Sequence, residues 1–377
     1  VNNEAPFDPI VQRGSILCYR LFDVGEEINL VAAEKLLRQR GEQFEFRLAP
    51  GRRRALQVRN PPMRVSLGEA KISIGGEEIQ TEVAATVWDY GVLSMVFRIP
   101  IPAGTAWSQL LTRANLYGAE AKTAEALDSS ARSMAGDLFT ALKNAVKKPS
   151  QSLIFEDYTL YFIEDIGGPE VSNRLASHRM LAELVLGEPR VDDALSSGSI
   201  KPVLENVYQY KQGDLVVIDW DTGVVIEPSG ERDIPDVIEF VLTHLLEFRF
   251  YDDLLDKKIE GLYDSIDKKR GWVPGAYYSS ISREANYRYI EITEFIERVE
   301  NSLKVVGDFY IAFVYRGAIR RFRIADWGTS ITRKLNLLAR VSELLQGEVN
   351  VYRSHALELI VILLIAFEIV SAIVRNH

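Results

Sequence analysis

The strongest constraint on this chain is a pentapeptide written twice. Trp88-Asp89-Tyr90-Gly91-Val92 follows the apolar run Val83–Val87 and precedes Leu93–Ile99. Trp220-Asp221-Thr222-Gly223-Val224 follows Leu215–Ile218 and precedes Val225–Ile226. Each reads as two strands around a tight turn, with glycine accepting φ > 0 between β-branched flanks. Upstream of each lies another strand and then a helix: Ile16–Phe22 before Ile28–Arg40, and Tyr158–Ile163 before Val171–Leu186. Downstream, Thr105–Leu116 and Pro235–Leu246 read as helices, with Thr105 and Asp233 as caps and Pro235 in a first turn. The same order of elements therefore recurs, and the expected fold is α+β, with duplicated ferredoxin-like βαββα units.

At 377 residues the chain has room for two or three domains. The expected divisions are a first α+β unit over 1–118, a connecting helix over 119–150 and a second α+β unit over 151–234. A helical hairpin region over 235–352 and a hydrophobic helix over 353–377 follow. The hairpin rests on heptad-like, coiled-coil stripes: Val299, Leu303, Val306, Tyr310 and Phe313 on one helix, and Ile331, Leu335, Leu338, Ser342, Leu345 and Val349 on the next. The break between them is placed near Ala325-Asp326-Trp327-Gly328.

From Leu359 to Val374 the sequence carries one charge, Glu368. With Ala356 and Leu357 the segment approaches the ~20 residues needed to cross a bilayer core. It is read as a transmembrane tail anchor contacting membrane lipid. Arg340 and Arg353 before it, against Arg375 after it, place the N-terminal part in the cytoplasm, or in the matrix of a mitochondrion. Glu368, costly in hydrocarbon, marks a contact between copies, so a homo-oligomer is expected; Glu358 lies near the headgroups. No charged stretch followed by an apolar one opens the chain, so no secretory signal is expected.

The segments Val299–Trp327 and Ser354–Val370, with Arg353, Leu357, Glu358 and Glu368 at the places of an R-x-x-x-L-E-(apolar run)-E motif, resemble the Required-for-Meiotic-Nuclear-Division, or YagE-like, family. Asp214–Ile226 is similar to that family's hairpin, and the resemblance spans about residues 152–375. It implies a membrane-associated protein without an established enzymatic activity, in a family linked to meiosis and mitochondrial translation.

Familiar chemistries find little footing. Cys18 is the single cysteine, which excludes a disulfide framework. His178, His244, His355 and His377 show no metal-binding spacing, and neither a Walker loop nor G-x-S-x-G is present. Asp221-Thr222-Gly223 has the look of an aspartic-protease loop, but its counterpart is Asp89-Tyr90-Gly91, with tyrosine where a small hydroxyl residue is needed. Asp219 and Asp221 could hold a divalent cation as the site of a metal-dependent enzyme. No catalytic, cofactor-binding or metal residue is assigned, and no small-molecule substrate is identified.

Two basic clusters remain in a chain of net charge −9, which as a whole is no basic nucleic-acid binder. Arg38, Arg40, Arg47, Arg52, Arg53, Arg54, Arg59 and Arg64, with Phe44 and Phe46, could contact RNA or the ribosome. Arg316, Arg320, Arg321, Arg323, Arg333, Lys334 and Arg340 could face anionic lipid or the acidic stretch Asp252, Asp253, Asp256 and Glu260. The expected interaction residues are Arg52, Arg53, Arg54, Arg320, Arg321, Glu358 and Glu368. The reading that follows is a membrane-anchored, non-enzymatic scaffold or assembly protein, with an RNA- or ribosome-contacting module using the Arg38–Arg64 patch as the alternative.

Overall fold

The computed structural model describes residues 7–46, 58, 60–118, 121–150, 155–187, 195–268, 283, 286–287, 289–290, 292–297 and 309–375. The chain divides into two compact units: Val1–Phe250 with Asn301–Ala325, and Tyr251–Glu300 with Asp326–His377.

The first unit is built on one mixed sheet. In chain order its opening elements are β1 (Ile10–Val11), β2 (Arg13–Asp23), β3 (Gly25–Ile28), α1 (Leu30–Arg40), β4 (Phe44–Phe46), β5 (Met63–Ile74), β6 (Glu77–Val87) and β7 (Val92–Ile101). Next come β8 (Thr105–Ala106), α2 (Trp107–Gly118), α3 (Ala121–Leu142), β9 (Val146–Pro149), β10 (Phe155–Asp165), α4 (Pro169–Ala176), α5 (Arg179–Val185) and α6 (Ser197–Leu204). The unit ends with β11 (Val207–Tyr208), β12 (Leu215–Ile218), β13 (Thr222–Ile226), the start of α7 (Asp233–Lys268) and α8 (Phe309–Arg321). Nine strands lie in the order β11-β12-β13-β10-β2-β7-β6-β5-β4; β1 pairs with β8, and β3 with β9, as separate ribbons. Both edges of the large sheet are short strands, which limits edge-to-edge pairing with other chains.

The protein is therefore mixed α+β with a large mixed sheet. Both Trp-Asp-x-Gly-Val segments lie at hairpins, β6–β7 and β12–β13. Outward from the central β2–β10 pair the halves are unequal: β7, β6, β5 and β4 follow β2, whereas β13, β12 and β11 follow β10. They also differ in one direction. β2 pairs with β7 antiparallel, whereas β10 pairs with β13 parallel. The two glycines differ as well. Gly91 has φ +90°, and a Cβ there would stand 1.6 Å from the Gly25 carbonyl oxygen. Gly223 sits within β13 without positive φ, where a Cβ would stand 2.6 Å from the Tyr158 hydroxyl. Glycine serves turn geometry in the first half and close packing in the second.

Alternation along the strands separates two faces. Ile16, Cys18, Met95, Phe97, Tyr161 and Ile163 point to the face covered by α1, α2, α3 and α5, where Leu37, Trp107, Leu127 and Leu181 complete the core. Arg20, 1% exposed, joins this side by donating from Nε to Asp128 Oδ1 of α3 at 2.6 Å. Leu17, Tyr19, Leu21, Tyr158 and Leu160 are buried too, on the alternate positions. Their face meets α7 and α8: Trp88 stacks on Phe240 at 5.5 Å and Tyr158 meets Phe322 edge-on at 5.7 Å.

The second unit holds the rest of α7 from Tyr251 and most of α9 (Ile324–Arg375). Ile331, Leu335 and Leu338 are buried at their expected spacing, and Lys334 Nζ reaches Asp252 Oδ1 at 2.8 Å and Asp256 Oδ1 at 2.6 Å. The break before α9 falls at Phe322-Arg323, with Arg323 in the left-handed region at φ +54°. Asp326 to Gly328 are helical.

The membrane reading does not survive. Among the described residues, no helix is long and apolar enough to cross a membrane. Between Glu358 and Glu368 only nine residues, Leu359–Phe367, are uninterruptedly apolar. Such a stretch covers about 14 Å of helix axis, roughly half of a hydrocarbon core. The tail anchor, the lipid contact, the membrane localisation and the orientation inferred from Arg340, Arg353 and Arg375 are therefore withdrawn. The large apolar side chains in Leu357–Ile369 are exposed, as are Glu358 and Glu368. Glu358 lies 3.7 Å from His355 Nδ1.

Candidate functional site

Two places in the first unit concentrate polar and aromatic side chains. One is the turn between β12 and β13 with the helix α8 beside it. Asp219, 5% exposed, accepts from the Trp220 amide and is gripped through the same oxygen by Nε and Nη2 of Arg321. Tyr158 OH donates to the Asp219 carbonyl at 3.3 Å, and burial raises that phenol well above its ordinary range. These bonds fix the turn and leave Trp220 48% exposed at its tip.

On α8, Phe309, Phe313, Arg316 and Arg320 recur at steps of four, three and four residues, so they form one stripe. All four are exposed. Phe309 and Phe313 are stacked with parallel rings, 6.4 Å apart. Tyr208 meets Phe313 edge-on at 5.0 Å, and Tyr210, itself exposed, stacks on Tyr310 at 5.3 Å. Gly317 permits the approach, since a Cβ there would stand 2.4 Å from the Tyr208 hydroxyl.

The second place lies between α7 and the sheet. Strand register puts Arg64, Thr86 and Ser94 in one row across β5, β6 and β7. The row continues through Leu21 of β2 to Glu156 of β10. Facing it, α7 carries Asp236, Glu239, Thr243 and Glu247 at steps of three, four and four residues, all buried. Glu239 Oε2 lies 3.8 Å from Arg64 Nη1. Tyr90 OH and Thr243 Oγ1 are 2.6 Å apart, and Arg249 pairs with Glu156 through a short charged bond. Burial raises the Glu239 carboxyl; Arg64 opposes this, as do the flanking Thr86 and Ser94 hydroxyls, although neither hydroxyl reaches hydrogen-bond geometry. Arg232, just before α7, is pushed down by burial and by the charges of Arg64 and Arg98.

The expected site residues separate on this framework. Arg321 and Asp219 come together in an ion pair. Arg320 is exposed on the α8 stripe. Asp221 is exposed at the turn, and among the described residues no group of three or more His, Cys, Asp or Glu side chains could hold a metal. Arg52, Arg53 and Arg54 lie outside the described residues, with Arg47 and Arg59. Of the remaining patch, Arg38 pairs with Glu34 and lies over Phe44, while Arg64 turns inward to Glu239. Glu358 and Glu368 belong to the second unit. The polar stripe of α7 was missed, although its signal is in the sequence: Arg232, Asp236, Glu239, Thr243 and Glu247 recur along one side of an apolar helix.

Comparison with known proteins bears on the sheet. Residues 13–233 match the family described as "Uncharacterized protein MJ0711, N-terminal domain". The chain belongs to this family. The match begins at β2 and ends where α7 begins, so it covers the whole nine-stranded sheet. A protein of Methanocaldococcus jannaschii, named "Uncharacterized protein MJ0711", is 22% identical over 240 residues, covering 63% of this chain and 72% of its own length. No solved structure matches. The YagE-like resemblance is overturned by this assignment. Its motif residues Arg353, Leu357, Glu358 and Glu368 all lie outside the matched segment, and an apolar helix punctuated by two glutamates is too common a pattern to define a family.

Proposed function

We propose that the protein is a non-enzymatic assembly protein that docks a partner protein on the α8 stripe and the β12–β13 turn. The observation that supports this most directly is the set of exposed aromatic side chains held in fixed positions there: Phe309, Phe313, Tyr210 and Trp220. Aromatic residues and arginine dominate the energetics of protein interfaces because they bury large areas at low entropic cost. The partner surface that fits is apolar with carboxylates at its rim, opposite Arg316 and Arg320.

A photo-crosslinking residue placed at Phe309 in the full chain tests this in cells. Crosslinks to a defined protein that vanish in Phe313→Asp and in Arg320→Glu are expected. Crosslinks to RNA instead would move the reading to a nucleic-acid module, and protein crosslinks indifferent to both substitutions would end it.

A further inference from the structure

We propose that the polar row beneath α7 binds a small oxyanion, a free phosphate or the phosphoryl group of a small metabolite, through Arg64, Arg232, Thr86 and Ser94. This inference is independent of the α8 surface.

Four atoms in this cluster are buried and make no hydrogen bond of full geometry among the described residues: Arg232 Nη2, and Thr86 Oγ1, Ser94 Oγ and Glu239 Oε1, which are neighbours of one another. Buried polar atoms are seldom left unpaired, because each loses its bonds to water. Here they are not scattered. Thr86 and Ser94 are direct cross-strand partners, Arg64 is the next residue along the same row, and Glu239 lies above them. Three of the four groups can donate at once: a guanidinium N–H and two hydroxyls. An oxyanion accepts from such donors with its several lone pairs.

The charges point the same way. Arg64, Arg98 and Arg232 sit close enough for their repulsion to be felt, and Arg64 meets its carboxylate only at 3.8 Å. Arg98 is drawn partly to Glu82 at 3.5 Å and to Ser15 Oγ at 3.3 Å. Glu82, Asp236 and Glu239 would together match the three cations, so one positive charge is left over when Glu239 is neutral. Burial shifts the Glu239 carboxyl toward its neutral form, which weakens its repulsion of an anion. The arginines lie toward the solvent side, with Arg64 12% and Arg98 37% exposed, while Thr86 and Ser94 form the floor at 2% and 0%. The charged side chains are thus the more accessible members of the row and the hydroxyls the least.

The test is calorimetric titration of the full chain at constant ionic strength, with inorganic phosphate in one arm and ribose 5-phosphate in the other. A saturable single site is expected in at least one arm, and the arm that binds more tightly tells a free ion from a phosphorylated metabolite. Arg232→Gln should weaken it at least tenfold. The double substitution Thr86→Val with Ser94→Ala, which leaves every charge in place, should weaken it several-fold and guards against a folding defect in the arginine variant. Saturable heat in neither arm, or heat that survives both variants, overturns the proposal and leaves the row as a structural polar layer.

Discussion

Replacing Glu156 by Gln should make the protein's stability less dependent on pH, in a direction opposite to that usual for an ion-paired carboxylate. Glu156 is 6% exposed on β10 and bonded to Arg249. Removal from water nevertheless outweighs the arginine and raises its pKa from 4.5 to about 7. A carboxyl raised on folding binds its proton more tightly in the native state. The stability it contributes is full below pH 4.5, declines between 4.5 and 7, and is gone above 7. Each pKa unit corresponds to about 1.4 kcal/mol, so the swing is about 3 kcal/mol. Glutamine keeps the shape without the titration. The difference in stability between the two chains cancels the titration of other groups, and should therefore shift by about 3 kcal/mol in favour of glutamine from pH 4.5 to pH 8. Because two units need not unfold together, the quantity to measure is amide hydrogen exchange of slow β2 and β10 residues, which reports the first unit. A difference that stays flat with pH would show Glu156 ionised throughout and Arg249 stronger than the loss of water. A difference of opposite sign would refute the reasoning outright.

Gly91→Ala should destabilise the first unit by about 3 kcal/mol or more, since it combines left-handed strain with a collision on the Gly25 carbonyl; chemical denaturation followed by Trp fluorescence would show it. Cys18 is fully buried, with its thiol pushed up to about 11, so a thiol reagent should modify it only as fast as the unit opens, and quick labelling in native buffer would contradict this. Phe322→Ala removes a buried ring set edge-on against Tyr158 and should cost about 3–5 kcal/mol, read from the same unfolding curves.

Hairpins and helix starts were legible because their signals are local. Val83–Val87 and Leu93–Ile99 fall inside β6 and β7, and Pro235 lies in the first turn of α7. The direction in which β10 meets β13 was not legible, because β-branched runs such as Val224–Ile226 suit either ladder; what fixes it is the intervening path through α4, α5 and α6. Arg64 looked like part of a patch for contacting RNA or the ribosome, since nothing in its neighbourhood announces Glu239, 175 residues later in the chain. The start of α9 was misplaced because the turn sits on Arg323, in a conformation normally left to glycine, while Gly328 stays helical. The apolar tail was misread because its length was summed across Glu368 rather than measured between the charges.

The layout of the first unit also bears on how it can be made. Its central strand β2 finds its two neighbours only after β7 and β10 have emerged, and the covering helix α8 arrives after the whole segment Tyr251–Glu300 of the other unit. Pairings so distant along the chain are slow to form, because a large loop must close before they give anything back. A ribosome-bound chain halted near residue 300 would thus hold a nearly finished sheet with Tyr208 and Phe240 still waiting for their α8 partners, and Tyr158 for Phe322. Synthesis itself therefore prolongs the life of an exposed aromatic surface, and a chaperone that binds such surfaces has its longest opportunity at that stage.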